Sequence, residues 1–290
     1  MNHRPMRPAA FLAPATLLLL GSCTKGDKEA AYLQLGTVTV ATDPLTEGTG
    51  SHRITDLWVY ADGQALGVWE SGSRLPVLRE GPMTIQLIAG IPRNGMRDDR
   101  VQYPFYATWS GPADLRKGTT VQVTPQFTYY DGNTYWIEGF EDPGFKFTRS
   151  DDSDTTMMLV NDPGLVLTGN GAGYIHVDQD RPFVRMVSSD SFEPEGAVFL
   201  EIDRRSDHRF LVGGLMDPSG GGSVIDVPYL YVSPTLRSDG GMPWSKIYVD
   251  LGSLFHAPGT TNKRFYIEVQ LVDGASSGSV YLDDIKLVHR

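Results

Sequence analysis

The chain is short of cysteine, of usefully spaced histidine and of long apolar runs, and each shortage removes a class of function. Its one cysteine is Cys23, so a zinc site built on cysteine pairs is excluded. Six histidines occur, but none lies in a His-x-His or His-Glu-x-x-His spacing that would bring two imidazoles to one metal. No serine stands in a Gly-x-Ser-x-Gly elbow between a strand and a helix. Gly169-Asn170-Gly171-Ala172-Gly173 and Ser219-Gly220-Gly221-Gly222-Ser223 imitate nucleotide loops. Neither opens a helix whose N-terminus could hold phosphate, and both read as turns. Carboxylates such as Glu201 and Glu268 are plentiful, yet no glycosidase pair is singled out among them, so the chain is not expected to be an enzyme. Basic residues number 25 against 35 acidic, a formal net charge of −10 that argues against attraction to nucleic acid. The apolar run at 11–20 is broken by Pro14, and it falls short of the roughly 20 residues that a finished membrane helix needs.

What is present begins with that run. Arg4 and Arg7 precede it and Leu20-Gly21-Ser22-Cys23 ends it, the layout of a secretory signal peptide. Leu20 to Cys23 resembles the bacterial lipoprotein lipobox, which implies cleavage before Cys23 and acylation of its sulfur. The competing reading of Cys23 is a free thiol buried in the fold. Residues 1–22 are then a signal peptide and 23–31 a lipidated tether carrying the small and charged Thr24-Lys25-Gly26-Asp27-Lys28-Glu29. Thr24 stands where an inner-membrane retention signal would place Asp, so the resemblance implies the bacterial outer membrane, with the leaflet open. Loss of Arg4 and Arg7 takes the net charge from −10 to −12, and an acylated cysteine leaves none for a disulfide, so stability must come from burial, with bound metal as a second source.

Hydrophobic residues make up 40% and charged residues 21%, the balance of a packed protein. The rest of the pattern is all-β. The segment 35–42 alternates Leu35, Thr37, Thr39 and Ala41 with Gly36, Val38, Val40 and Thr42, predicting a strand that ends at Asp43-Pro44. Strands at 54–60 and 65–69 flank Asp62-Gly63, a hairpin dipeptide. Further strands are predicted at 75–78, 83–91, 103–109 and 119–130, separated by Glu80-Gly81-Pro82, Arg93-Asn94-Gly95 and Ser110-Gly111-Pro112. Turn chemistry between short strands suggests a small Ig-like or transthyretin-like sandwich over 32–132. Within it, Val59 to Gly67 with Glu80-Gly81 and Met83 to Leu87 is similar to PEGA-type envelope modules, which implies a spacer.

A second region, 133–290, has predicted strands at 197–203, 210–213, 224–232, 246–251, 265–272 and 279–288. Phe265, Ile267, Val269 and Leu271 form one apolar row, with Tyr266, Glu268 and Gln270 on the other side. Ile247, Val249 and Leu251 alternate in the same way with Lys246, Tyr248 and Asp250, and Val198, Leu200 and Ile202 with Phe199, Glu201 and Asp203. This is the pattern of a two-sheet sandwich with one wettable surface. Phe140-Glu141-Asp142 near the start and Val280 to Leu287 as the last strand resemble the jelly-roll carbohydrate-binding modules of the galactose-binding-domain-like fold. That resemblance implies a larger jelly-roll sandwich in which an early acid and a late one hold a structural calcium ion. Glu138, Glu141, Asp142, Asp283 and Asp284 are the positions it points to; the alternative is that they are solvated edge carboxylates.

Sugars offer apolar ring faces and a rim of hydroxyls, so a binder needs flat aromatics beside amides and carboxylates. Tyr248, Asp250, Tyr266, Glu268 and Gln270, with Trp136 and Trp244, supply that combination. The expectation is a non-catalytic envelope lipoprotein that binds a polysaccharide or glycoconjugate. The alternatives are a structural or assembly lipoprotein of an outer-membrane secretion, adhesion or uptake machine, whose partner is a protein, and a divergent hydrolase.

Overall fold

A computed structural model describes residues 29–290. The signal-like segment, the lipobox-like Leu20 to Cys23 and residues 23–28 of the tether lie outside the described residues. The described chain is all-β, and its one helix is α1, Gly252–Phe255.

The first ten strands are β1 (Ala31–Leu35), β2 (Thr39–Val40), β3 (Asp56–Ala61), β4 (Gln64–Glu70), β5 (Arg74–Val77), β6 (Gly81–Pro92), β7 (Arg100–Gln102), β8 (Trp109–Leu115), β9 (Thr120–Val123) and β10 (Gln126–Phe127). Their main sheet runs β4-β3-β6-β7 with β8 also on β6, and the smaller sheets β5-β1-β9 and β10-β2 share its core. Period two explains the burial: Met83, Ile85, Leu87 and Ala89 of β6 face inward, while Thr84 is exposed. Asp62 and Gly63 turn the β3–β4 hairpin with φ of 46° and 77°, the positive angles such two-residue turns demand.

The remaining strands are β11 (Thr134–Glu138), β12 (Phe147–Arg149), β13 (Met158–Val160), β14 (Ala172–Asp178), β15 (Phe183–Ser188), β16 (Val198–Ser206), β17 (Phe210–Pro218), β18 (Ile225–Val232), β19 (Ser245–Asp250), β20 (Thr260–Gln270) and β21 (Ser277–His289). One sheet runs β13-β14-β21-β16-β19 with β11 also on β21; the other runs β12-β15-β20-β17-β18. The two close over a core that includes Ile175, Val184, Leu200, Phe265, Ile267 and Leu287. First strand and last strand pair directly, Trp136 opposite Leu287.

Several expected boundaries move. The strand expected at 35–42 is broken at Gly36, so β1 lies earlier and only Thr39–Val40 pairs beyond the break. The segment expected as a strand at 103–109 is mostly irregular, because Tyr103, Phe105 and Tyr106 are all buried, whereas a strand would send alternate side chains to opposite faces. Ser110-Gly111-Pro112, expected as a turn, lies inside β8. The Trp109 ring folds over Gly111, where a Cβ would meet it, and Pro112 is tolerated in a strand that pairs within that sheet only with β6. Of the turn expected at 169–173, Ala172 and Gly173 open β14 instead.

The alternation in β16 and β19 is observed, yet its polar row is not wet. Phe199, Glu201, Asp203, Lys246 and Tyr248 are buried, with Phe199, Tyr248 and Val288 joining the core of the first sandwich. Glu201 Oε1 accepts the hydroxyls of Tyr103 at 2.5 Å and Tyr129 at 2.8 Å. Its Oε2 faces Lys246 Nζ at 3.4 Å, and the same nitrogen lies 2.9 Å from Asp203. Lys286 Nζ donates to Tyr129 OH and to the Thr49 carbonyl, each at 3.2 Å. Burial alone would raise the Glu201 carboxyl, but Lys246, Lys286 and the two hydroxyls outweigh it and hold its pKa below the usual value. At the rim of this contact, Asn94 N–H donates to the Tyr248 carbonyl and Asp250 N–H to Asn94 Oδ1, both at 2.8 Å.

Replacing Glu201 by Ala leaves Lys246 and two hydroxyls buried with one partner fewer. The expected cost is about 3–5 kcal/mol in urea melts at neutral pH. Because the folded-state pKa is depressed, that difference shrinks as pH falls through it. Loss of under about 1 kcal/mol would show that the network is dispensable.

Candidate functional site

The uncovered face of the second sandwich is the outer surface of β12-β15-β20-β17-β18. On β20, Phe265, Ile267 and Val269 enter the core, while Arg264, Tyr266, Glu268 and Gln270 alternate with them on the outside. Register sets their neighbours. Arg185 of β15 and Leu211 of β17 both lie opposite Glu268, Val187 lies opposite Tyr266, and Leu215 lies between Arg264 and Asp226 of β18.

Gly213 stands opposite Tyr266, and the tyrosine ring occupies the space that a Cβ on Gly213 would fill. Arg185 lies over the ring, its Cζ 4.3 Å from the centroid. The same guanidinium donates to Glu268 at 2.8 Å and to Asp226 at 2.7 Å, while Tyr266 OH donates to Asp226 at 2.9 Å. Burial and the Asp226 carboxylate push the Tyr266 hydroxyl up. This closed set divides the face into two depressions. One, of about 200 Å³, is lined by Arg209, Leu211, Tyr231, Glu268, Gln270 and Asp273 among others. Its aromatic is Tyr231, 60% exposed, with the Arg209 guanidinium 4.8 Å from the ring centroid. The second, of about 340 Å³, lies past Arg185 and is bordered by Thr148, Arg149, Val187, Leu215 and Arg264. Apolar floor, polar rim and one open aromatic suit a polyhydroxylated ligand.

The expected binding residues divide. Tyr266, Glu268 and Gln270 share this face, but Tyr266 is sealed beneath Arg185 and Glu268 is held in an ion pair with it at 2.5 Å. Gln270 alone of the three is exposed. Tyr248 and Asp250 belong to β19 in the opposite sheet. Tyr248 is fully buried between the sandwiches, and Asp250 is half-buried, 3.6 Å from Arg93. Trp136 is a core residue, edge-on to Phe147 and Phe265 and hydrogen-bonded to Asp190. Trp244 borders a separate hollow with His52, Arg53 and Lys246. Arg185, Arg209, Leu211, Leu215, Asp226 and Tyr231 were not expected. Their signal was the alternation of Arg185 and Val187 with Val184 and Met186, and of Leu211 with Phe210 and Val212.

Four of the five acids expected at the domain ends come near one another, since Glu138, Glu141, Asp142 and Asp284 border one cleft of about 650 Å³. Their oxygens are engaged by the chain itself. Glu138 accepts the N–H groups of Phe140 at 2.8 Å and Lys146 at 2.6 Å, and Glu141 those of Asn170 at 2.7 Å and Gly171 at 3.1 Å. Asp283 Oδ2 accepts Leu167 and Thr168 N–H, at 3.0 and 3.1 Å, and Asp284 accepts the Thr168 hydroxyl at 2.9 Å. Asp142 is exposed. Among the described residues no three His, Cys, Asp or Glu side chains group so as to hold a metal. As placed, four of these carboxylates pin loops by accepting donors from the chain itself. The Glu138 bond to Phe140 N–H holds a bulky residue at φ 58°, in the left-handed region.

No protein-family model and no curated protein matches the chain. Solved structures with some likeness include one of carbohydrate-binding modules from the β-sandwich superfamily, 15% identical, covering 79% of this chain and 83% of that one, with a TM-score of 0.38. Another is the family 11 carbohydrate-binding module of Clostridium thermocellum in complex with a mixed-linked tetrasaccharide, 11% identical over 53% of this chain and 94% of that one, TM-score 0.36. A third is the K1 cleaved adhesin domain of Lys-gingipain from Porphyromonas gingivalis, 15% identical over 54% and 99%, TM-score 0.34. At these scores the likenesses carry no inference about what this chain binds.

Burial, and Asp284 beside it, push the Asp283 carboxyl up to about 7 from 3.8. The native state therefore keeps a proton that the unfolded chain has lost, and this group lowers stability as pH rises from about 4 to about 7. Between about pH 5 and pH 8, the melting temperature of Asp283→Asn should fall less than that of the parent; parallel curves would contradict this. A chelator in the same melts should leave the melting temperature unmoved, because a cation bound only to the native state would raise it.

Proposed function

We propose that the chain is a non-catalytic lipoprotein of the bacterial outer membrane that binds a polysaccharide or glycoconjugate through the outer face of its second sandwich. The observation that carries the binding reading is the pairing of exposed Tyr231 with Gln270 and Arg209 around one depression of a face otherwise floored by Leu211 and Leu215. An aromatic ring stacks on a sugar while the amide and guanidinium reach its hydroxyls. Glu268 and Asp226 are both committed to Arg185, which leaves neither as a free acid or base and favours binding over hydrolysis. The anchor rests on Leu20-Gly21-Ser22-Cys23 and its lipobox resemblance. The first sandwich, packed on the opposite sheet, serves as the spacer that holds this face away from the membrane.

The second reading, an assembly component with a protein partner, is favoured by one observation. Edge strand β18 and its flanks expose Val224, Ile225, Tyr231 and Leu236, and an exposed edge can accept a strand from another chain.

A glycan array probed with the soluble chain starting after Cys23 tests the first reading. Tyr231→Ala and Gln270→Ala should each weaken binding about tenfold or more, which is about 1.4 kcal/mol. Absence of binding to every glycan, with capture of a stoichiometric envelope protein from detergent extract, would transfer the function to the second reading. Incorporation of labelled fatty acid that is lost in Cys23→Ala tests the anchor.

A further inference from the structure

Resting on the binding reading above, we infer that the second depression of the face takes an acidic sugar residue, with its carboxylate on Arg264. Arg264 is the last outward residue of the β20 row and lies opposite Leu215. It is half-buried, and its Nε is buried with no hydrogen-bond partner. Among the described residues it has no carboxylate within salt-bridge distance. On the adjacent strand, Arg185 shows what a structural arginine on this sheet looks like, with both Glu268 and Asp226 paired to it. Nε is shut off from solvent, so the donors available to an anion are the terminal nitrogens of the same guanidinium, which make no hydrogen bond to the described protein.

The surroundings specify that group. Arg149 also borders the depression, and its one side-chain bond to the described protein is to the Ser153 carbonyl at 2.9 Å. Arg185, paired with two carboxylates that do not line the depression, forms the third wall. Asp151 is the only carboxylate among the lining residues, and it is exposed. Two guanidinium groups without a carboxylate partner, against one solvated carboxylate, give the lining of this hollow a positive balance on a chain of net charge −10. Guanidinium forks match carboxylates in geometry, and a planar carboxylate can accept two parallel N–H bonds. Thr148 and Ser189 offer hydroxyls to the sugar's remaining rim, and Val187 and Leu215 an apolar floor. The volume of about 340 Å³ is at the low end for a ligand pocket and has room for a sugar residue rather than a long segment. The overall negative charge repels a dense polyanion at long range, so the hollow suits acidic residues spaced along a largely neutral polymer.

The test pairs each of several uronate-containing polysaccharides (a galacturonan, a glucuronoxylan and an alginate) with its carboxyl-reduced counterpart, and adds a sulfated galactan. Calorimetric titration of the soluble chain should show at least one acidic member bound tenfold or more tightly than its reduced form. Arg264→Gln and, separately, Arg149→Gln should abolish that preference while each variant still binds the reduced form and still melts cooperatively. Equal affinity within every pair, a preference that survives in Arg264→Gln, or binding of the sulfated polymer alone would overturn the carboxylate assignment while leaving glycan binding intact. Failure to bind any polysaccharide, acidic or neutral, here and on the array would remove both readings together.

Discussion

Glu201 is buried without exposure between two lysines and two tyrosine hydroxyls, and the contact between the sandwiches is built around it. A carboxylate in such a place is costly to desolvate, and the cost is offset only if every oxygen finds a donor in good geometry. The donors come from both sides: Tyr103 and Tyr129 from the first sandwich, Lys246 from the second. Neither sandwich could bury its own part of this network alone. The acid therefore sets how the sandwiches meet as much as how firmly.

That contact also selects the working surface. With one sheet of the second sandwich occupied by its neighbour, the outer face of β12-β15-β20-β17-β18 is the broad sheet surface left open. On it, Arg185 pairs with both acids and seals Tyr266, a rigid divider with a depression on each side. The divider satisfies its own charges, so what remains available to a ligand is peripheral: Tyr231, Gln270 and Arg209 on one side, Arg264 and Arg149 on the other. Polar groups inside the divider give order, and polar groups outside it give chemistry.

Much of the fold was legible from period two. The apolar rows of β6, β16, β19 and β20 were all readable, as was the Asp62-Gly63 hairpin, because alternation and positive-φ dipeptides are local properties. Strands β12 and β13 were missed because they are three residues each, β14 because its glycines looked like a turn, and β15 although Arg185 and Val187 alternate with Val184 and Met186 along it. Pro112 hid β8 for a related reason: proline is barred from central strands, yet an edge tolerates it. In the candidate site, the row of Tyr266, Glu268 and Gln270 was readable, but which of its members are free was not. Tyr266 and Gln270 carry the same alternation signal and differ only in whether an arginine from the next strand covers them.

By itself the sequence determined that the described chain would be all-β, which residues of each strand would share a face, and that Leu20 to Cys23 would resemble an acylation site. Each of these depends on residues within a few positions of one another. Tertiary structure alone decided which face would be covered. Tyr248 and Tyr266 sit in equivalent alternating rows, and one became part of a domain contact while the other was sealed under Arg185. It also turned Glu138, Glu141 and Asp283 toward backbone donors. Burial and pairing join residues far apart in the chain, so no local pattern could carry them.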